Sequence, residues 1–154
     1  LFAGVGPFSI LIAKRVAGVR VYSVDMNPIA FRYLEENIRL NKVGDKVIAI
    51  LGDAAEVATS TLRGICNRTI MNLPAGAELF LNAASDALRE EGGTVHLHIF
   101  VDGLENIGIR VEAIEDKMRK IGWKKVTTLR TKVIREVGVK SYHVATDVSL
   151  GQRQ

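Results

Sequence analysis

The stretch Leu1-Phe2-Ala3-Gly4-Val5-Gly6-Pro7-Phe8 decides the fold of this chain. Its first residues read as the end of a buried strand, the glycines as a tight turn, and Pro7 as the opening residue of a helix. Residues 8–17 carry a helical apolar face closed by Gly18, and residues 20–24 (RVYSV) form a short strand that ends at Asp25. Strand end, glycine turn, helix and strand in that order are the start of an α/β sheet.

The same alternation continues outward. Asn27 can cap and Pro28 can begin a helix that runs to residue 41, and residues 46–51 (KVIAIL) form a third strand. A short helix over 54–64 follows, then a strand over 67–72 stopped by Leu73-Pro74. A helix over 77–91 ends at Gly92-Gly93, a strand covers 94–101 and a helix 106–121. Two β-rich stretches, 125–134 and 140–149, finish the chain. The pattern predicts a Rossmann-like, doubly wound, mostly parallel sheet with an antiparallel C-terminal strand and a truncated first strand.

Composition fits one domain spanning residues 1–154. The chain is 47% hydrophobic and 25% charged, with 14 Gly and 3 Pro, which excludes a disordered acidic tail, a collagen repeat and a disulfide-stapled miniprotein. The lone Cys66 cannot form an internal bridge, and a reducing, cytoplasmic setting is expected. No apolar run reaches the ~18 residues needed to cross a bilayer. The first residue is Leu1 and reads as mid-strand, so upstream sequence is expected to be missing. The net charge of +4 is concentrated: between Lys117 and Lys140 stand nine basic residues against one acid, Glu136. Such a field attracts a polyanion such as RNA, although a solvated helix end and strand face would look the same.

The glycine turn and Asp25 together suit a nucleoside. Glycines let the backbone approach a ligand, and a carboxylate at the end of the second strand can accept both ribose hydroxyls. NAD and S-adenosylmethionine (AdoMet) both fit these features, but the third fingerprint position holds Ser9 where NAD calls for Gly or Ala. Asp53, in Gly52-Asp53-Ala54, could accept from an adenine amine or could simply cap the next helix. Asp25 and Asp53 together leave no seat for a pyrophosphate, which favours AdoMet. Asn72-Leu73-Pro74 ends the fourth strand, where an amide could read a purine edge and Pro74 would fix the chain direction and leave a carbonyl exposed.

Taken in register, Leu-Phe-Ala-Gly-Val-Gly-Pro-Phe, Val-Asp-Met-Asn-Pro, Gly-Asp-Ala, Met-Asn-Leu-Pro and the closing Val139-Lys140-Ser141-Tyr142-His143-Val144 resemble the archaeal/eukaryotic tRNA (guanine-N1)-methyltransferase family that acts at position 37. The resemblance implies that Phe2, Gly4 and Gly6 line the methionine and ribose of AdoMet. It implies that Asp25 holds the ribose hydroxyls, that Met26 lies on adenine, and that Asp53 and Ala54 meet the adenine edge. Asn72 would border the cofactor and, with Pro74, position the target guanine. The partner implied is tRNA, with no metal and no membrane. The family's general base and its tRNA-gripping domains lie upstream of Leu1, and the segment between Tyr142 and His143 is shorter than the family's.

Other readings remain open at the level of sequence. A sister family of wyosine-pathway enzymes transfers the aminocarboxypropyl group of the same cofactor, although Ala75-Gly76-Ala77 is closer to the methyltransferases. A non-catalytic RNA-binding module would use the basic C-terminal half, and an NAD dehydrogenase would use the glycine turn. His96 and His98 share a strand face without a third metal ligand beside them. Cys66 reads as a small hydrophobe rather than a nucleophile. Trp123 reads as a core residue opening a strand more readily than as a base-stacking platform.

Overall fold

A computed structural model describes residues 1–153, whose contacts cluster into two units, Leu1–Val57 and Ala58–Gln154. The first unit contains helix α1 (Pro7–Arg15), strand β1 (Val21–Asp25), helix α2 (Pro28–Leu40) and strand β2 (Val47–Leu51), and it ends within helix α3 (Ala54–Thr59). β1 and β2 pair in parallel from Val21 opposite Val47 to Asp25 opposite Leu51, with α2 as the crossover. Leu34 and Ile38 of α2 close the core with Ala13, Val43 and Val47. A buried hydrogen bond of 2.6 Å from the Ser23 hydroxyl to that of Ser9 ties β1 to α1.

The start of α2 is set locally. Asn27 Oδ1 accepts from the Ile29 and Ala30 N–H groups at 2.9 and 3.4 Å, and Pro28 occupies the first turn. Asn27→Ala is expected to cost about 1 kcal/mol in urea unfolding, whereas Asn27→Ser retains most of the cap.

The second unit holds a sheet in the order β3 (Arg68–Met71), β4 (Gly92–Asp102), β6 (Ser141–Arg153), β5 (Trp123–Gly138). β3 and β4 are parallel; β6 runs antiparallel to both β4 and β5. The expected α/β class is present, and antiparallel pairing extends to a long β5–β6 hairpin. Val95, Leu97, Ile99 and Val101 of β4 and Val144, Thr146, Val148 and Leu150 of β6 are buried on one face. Helices α4 (Leu81–Ala87) and α5 (Ile107–Lys120) contribute Leu81, Ala84, Ile114 and Met118 to the buried set of this unit. Trp123 opens β5 at 2% exposure, and its Nε1–H donates to Ser85 Oγ at 2.7 Å. Trp123 is therefore a core residue, as its place at a strand start implied.

The expected helix over 77–91 is shorter. A 3-10 turn covers Ala77–Phe80, and α4 stops at Ala87 because Leu88 turns extended and bridges Cys66. Cys66 N–H donates to the Ala87 carbonyl at 2.8 Å, and Arg89 N–H returns to the Cys66 carbonyl at 3.0 Å. Gly92 and Gly93 belong to β4 instead of ending the helix. A Cβ on Gly93 would strike the Asn67 carbonyl, the same oxygen that accepts the Thr94 N–H. That close approach, and not a helix cap, is what demands glycine there.

Candidate cofactor and substrate site

In the first unit the glycine turn is held by hydrogen bonds that converge on the end of β1. Ala3 N–H donates to the Val24 carbonyl at 2.9 Å, and Gly6 N–H to the Ala3 carbonyl at 3.0 Å. Phe2, Gly4 and Gly6 all adopt positive φ (59, 56 and 88°), and α2 crowds the turn so closely that a Cβ on Gly6 would meet Leu34 Cδ1. Val5 is fastened from its carbonyl to Asn37 Nδ2 at 3.0 Å.

Asp25 occupies the centre of this arrangement. Its Oδ2 accepts the Gly4 N–H at 2.6 Å and its Oδ1 the Asn27 N–H at 2.9 Å. Its backbone carbonyl accepts the Gly52 N–H at 3.0 Å, which brings the next loop alongside. A carboxylate offers about four lone-pair sites. Two of them are used to fix its orientation, and the rest of the half-buried group can receive a vicinal diol.

Met26, beside it, is 69% exposed, an apolar side chain available to a flat ring. Asp53 Oδ1 accepts the Ala55 and Glu56 N–H groups at 2.8 and 3.1 Å, so Asp53 is the N-cap of α3. Ala54 is buried at 4% exposure, so contact with a ligand would run through its backbone. Phe2, Gly4, Gly6, Asp25, Met26, Asp53 and Ala54 thus all belong to the first unit, around the carboxyl ends of β1 and β2.

Asn72 and Pro74 lie in the second unit, directly after β3. The Leu73 carbonyl accepts the Ala77 N–H at 3.0 Å. Contrary to the expectation of an exposed carbonyl, Pro74 O accepts the Phe100 N–H at 3.3 Å. The loop is thereby bound to β4, and its direction is set by that strand as well as by the proline ring.

Known proteins place this chain. The family model described as the TRM5/TYW2 methyltransferase domain matches residues 1–129. The chain belongs to that family. It is 42% identical over 147 residues to the tRNA (guanine(37)-N(1))-methyltransferase Trm5b of Pyrococcus abyssi, covering 96% of this chain and 42% of that protein. The crystal structure of Methanocaldococcus jannaschii TYW2 in complex with AdoMet superposes with a TM-score of 0.87 at 30% identity, over 98% of this chain and 66% of that one. The complex of aTrm5 and tRNALeu matches at a TM-score of 0.80 and 33% identity, over 97% and 40%. The chain spans about two-fifths of the length of the curated Trm5b proteins it matches, at 42% and 40%.

In this member of the TRM5/TYW2 family the strand face shared by His96 and His98 is part of a larger cluster beside the Asn72–Pro74 loop. His98 Nδ1 lies 2.8 Å from His143 Nε2, and Phe100 meets the His143 ring edge-on with centroids 5.7 Å apart. His96 Nδ1 pairs with Asp147 Oδ1 at 2.7 Å and its Nε2 with Arg68 at 3.1 Å. Among the described residues, no group of three or more His, Cys, Asp or Glu could hold a metal ion. The signal in sequence was the period-two spacing of His96, His98 and Phe100; the β6 partners that complete the cluster could not be assigned from it.

Burial, then the neighbouring His143, holds the His98 imidazole below its ordinary 6.5, and burial followed by Arg135 does the same to His143. Both are bases with depressed values, so below about pH 6.5 the unfolded chain takes up protons that the folded chain resists. Stability is full above that pH and falls on acidification through the window below it. Urea midpoints measured from about pH 7 down to about pH 5 are expected to decline, and His143→Gln to flatten the decline. Cys66 is half-buried and burial pushes its thiol up, which keeps it protonated and weakly nucleophilic at neutral pH.

Among the described residues, no helix is long and apolar enough to cross a membrane.

Proposed function

We propose that this chain is the catalytic domain of an enzyme that transfers the methyl group of AdoMet to N1 of guanine 37 in tRNA. The observation that carries the reading is Asp25, pinned by the Gly4 and Asn27 N–H groups with acceptor capacity left for a ribose diol. A pyrophosphate would meet two carboxylates, Asp25 and Asp53, around the same strand ends, and would be repelled. Family membership and the AdoMet complex of the TYW2 neighbour support the same cofactor.

Bound AdoMet supplies an electrophilic methyl group on a sulfonium. The chain's own part is binding and orientation. Asp25 anchors the ribose, the positive-φ turn from Phe2 to Gly6 lets the backbone lie against the methionine and ribose, and Met26 covers the adenine. The Asp53 and Ala54 backbone borders the adenine edge. Asn72 presents an amide oxygen and an NH₂ to the guanine edge, and Pro74, tied to Phe100, keeps that amide in place. Holding the two reactants in line contributes up to about 7–11 kcal/mol of the barrier reduction; as the methyl group passes to N1, S-adenosylhomocysteine departs and the N1 proton leaves to a base.

Calorimetric titration with S-adenosylhomocysteine tests the cofactor site, and mass analysis of a tRNA carrying guanosine at position 37 tests the reaction. A gain of one methyl group supports the proposal. The TYW2 likeness, at a TM-score of 0.87, makes aminocarboxypropyl transfer the second reading, and its much heavier product would replace the first.

A further inference from the structure

We infer that the face of the β3–β4–β6–β5 sheet that carries His96, His98 and Phe100 holds the RNA strand that flanks the target base, with cations on β5 for the phosphates and the Phe100–His143 pair for a neighbouring base. This rests on the proposed reading of the chain as an RNA-modifying enzyme and extends it to a second surface.

The face is defined by register. In antiparallel strands, residues directly opposite each other share a face. Phe100 opposes His143, His98 opposes Ala145 and His96 opposes Asp147. On the other side of β6, Arg135 opposes His143, Lys132 opposes Ala145 and Arg130 opposes Asp147. Arg130, Lys132 and Arg135 therefore stand on the histidine face, and all three are exposed. The buried residues of β4 and β6, Val95 to Val101 and Val144 to Leu150, point the opposite way.

Two irregularities create this arrangement. The register shifts between Thr128 and Arg130 and again between Val133 and Arg135. Without the first shift, Thr127 opposite Ser149 would be followed by Leu129 opposite Asp147 and Thr131 opposite Ala145, and the cations would turn to the other face. Bulges re-aim side chains, often beside functional sites. Here they gather three of the nine basic residues of the Lys117–Lys140 stretch into one row. Others of that stretch are engaged elsewhere: Lys117 donates to the Glu78 carbonyl, and Arg119 pairs with Glu115 and Asp116.

Charge and chemistry select the occupant. The histidine face carries two acids, Asp147, which pairs with His96 at 2.7 Å, and Asp102 at the end of β4, against Arg130, Lys132 and Arg135 of β5 and Arg68 on the far side. Phe100 is 41% exposed and stands edge-on to His143, giving rings on which a base can stack. The platform also adjoins the loop assigned to the target guanine, because the Phe100 N–H donates to the Pro74 carbonyl. A polyanion with flat bases fits this surface; an apolar helix would bury Arg130, Lys132 and Arg135 without partners.

The test is the fluorescence anisotropy of an anticodon stem–loop RNA with guanosine 37, titrated with this chain over a range of salt. The triple variant R130A/K132A/R135A is expected to bind at least tenfold more weakly, with the slope of log affinity against log salt shallower by about 0.7 per lost phosphate contact. Phe100→Ala is expected to lose between about fivefold and about a hundredfold with the slope unchanged. The charge control R63A/K120A/K124A, with its exposed cations elsewhere, should keep most of the affinity. Equal loss in that control, wild-type binding by Phe100→Ala, or no RNA binding at all overturns the inference. So does sedimentation as a dimer that Phe100→Ala disperses, since a second copy would then occupy the face. S-adenosylhomocysteine binding should be unchanged in every variant, so failure of that titration in the wild-type chain counts against the proposed function separately.

Discussion

Asp25→Ala abolishes measurable binding of S-adenosylhomocysteine: that is the largest functional effect expected of any single substitution in this chain. Two charge-assisted bonds to a ribose diol, at roughly 1.5–3 kcal/mol each, correspond to a loss of about 10²- to 10⁴-fold. The loss is compounded because Gly4 and Asn27 lose their shared acceptor and the glycine turn loses its tether. Asp25→Asn retains the shape and one acceptor oxygen but turns an NH₂ toward a backbone N–H, so an intermediate loss is expected. Calorimetry gives the affinities, and a thermal melt of each variant separates lost contacts from a lost fold. Binding by Asp25→Ala within about threefold of wild type, well under 1 kcal/mol, would remove the main support for the cofactor site.

The largest effect on stability is expected at Trp123. Removing its indole leaves a cavity among buried side chains and deprives Ser85 Oγ of its donor, at a cost of about 3–5 kcal/mol. A domain of this size has only about 5–15 kcal/mol to lose, so Trp123→Ala should be largely unfolded at moderate urea. Trp123→Phe keeps most of the apolar volume and gives up only the buried hydrogen bond, for about 1–3 kcal/mol. Urea titrations followed by circular dichroism measure both. If Trp123 were a base-stacking residue instead, Trp123→Ala would weaken RNA binding and leave the urea midpoint in place.

The first unit was legible almost residue by residue. Pro7, the Asn27-Pro28 pair and Asp25 act on their immediate neighbours, and the strand and helix limits read from them fall within two residues of those observed. Capping by Asn27 follows from a short turn feeding a helix beside a strand, whereas the bond from the Gly4 N–H to Asp25 emerged only from the structure. Asp53 shows the limit of such reading. A carboxylate after a strand serves equally as a helix cap or a ligand contact, and the cap it makes with Ala55 and Glu56 leaves its second role to experiment.

The second unit was less legible because its decisive partners are distant in sequence. Nothing in Leu88-Arg89-Glu90-Glu91 itself stops a helix; Cys66, more than twenty residues earlier, draws Leu88 into a bridge and ends it. The carbonyl of Pro74 found its donor on Phe100, in another strand.

By itself the sequence determined the α/β class, the glycine turn with its carboxylate at the end of β1, and the core placement of Trp123. These follow from periodicity and from side chains that bond to backbone a few residues away, which are short-range effects. Which way the basic residues of β5 point was decided only by tertiary structure. The side-chain period of a strand is two, so a single extra residue at Leu129 or Ile134 exchanges its faces, and whether that residue bulges depends on the strand it must pair with.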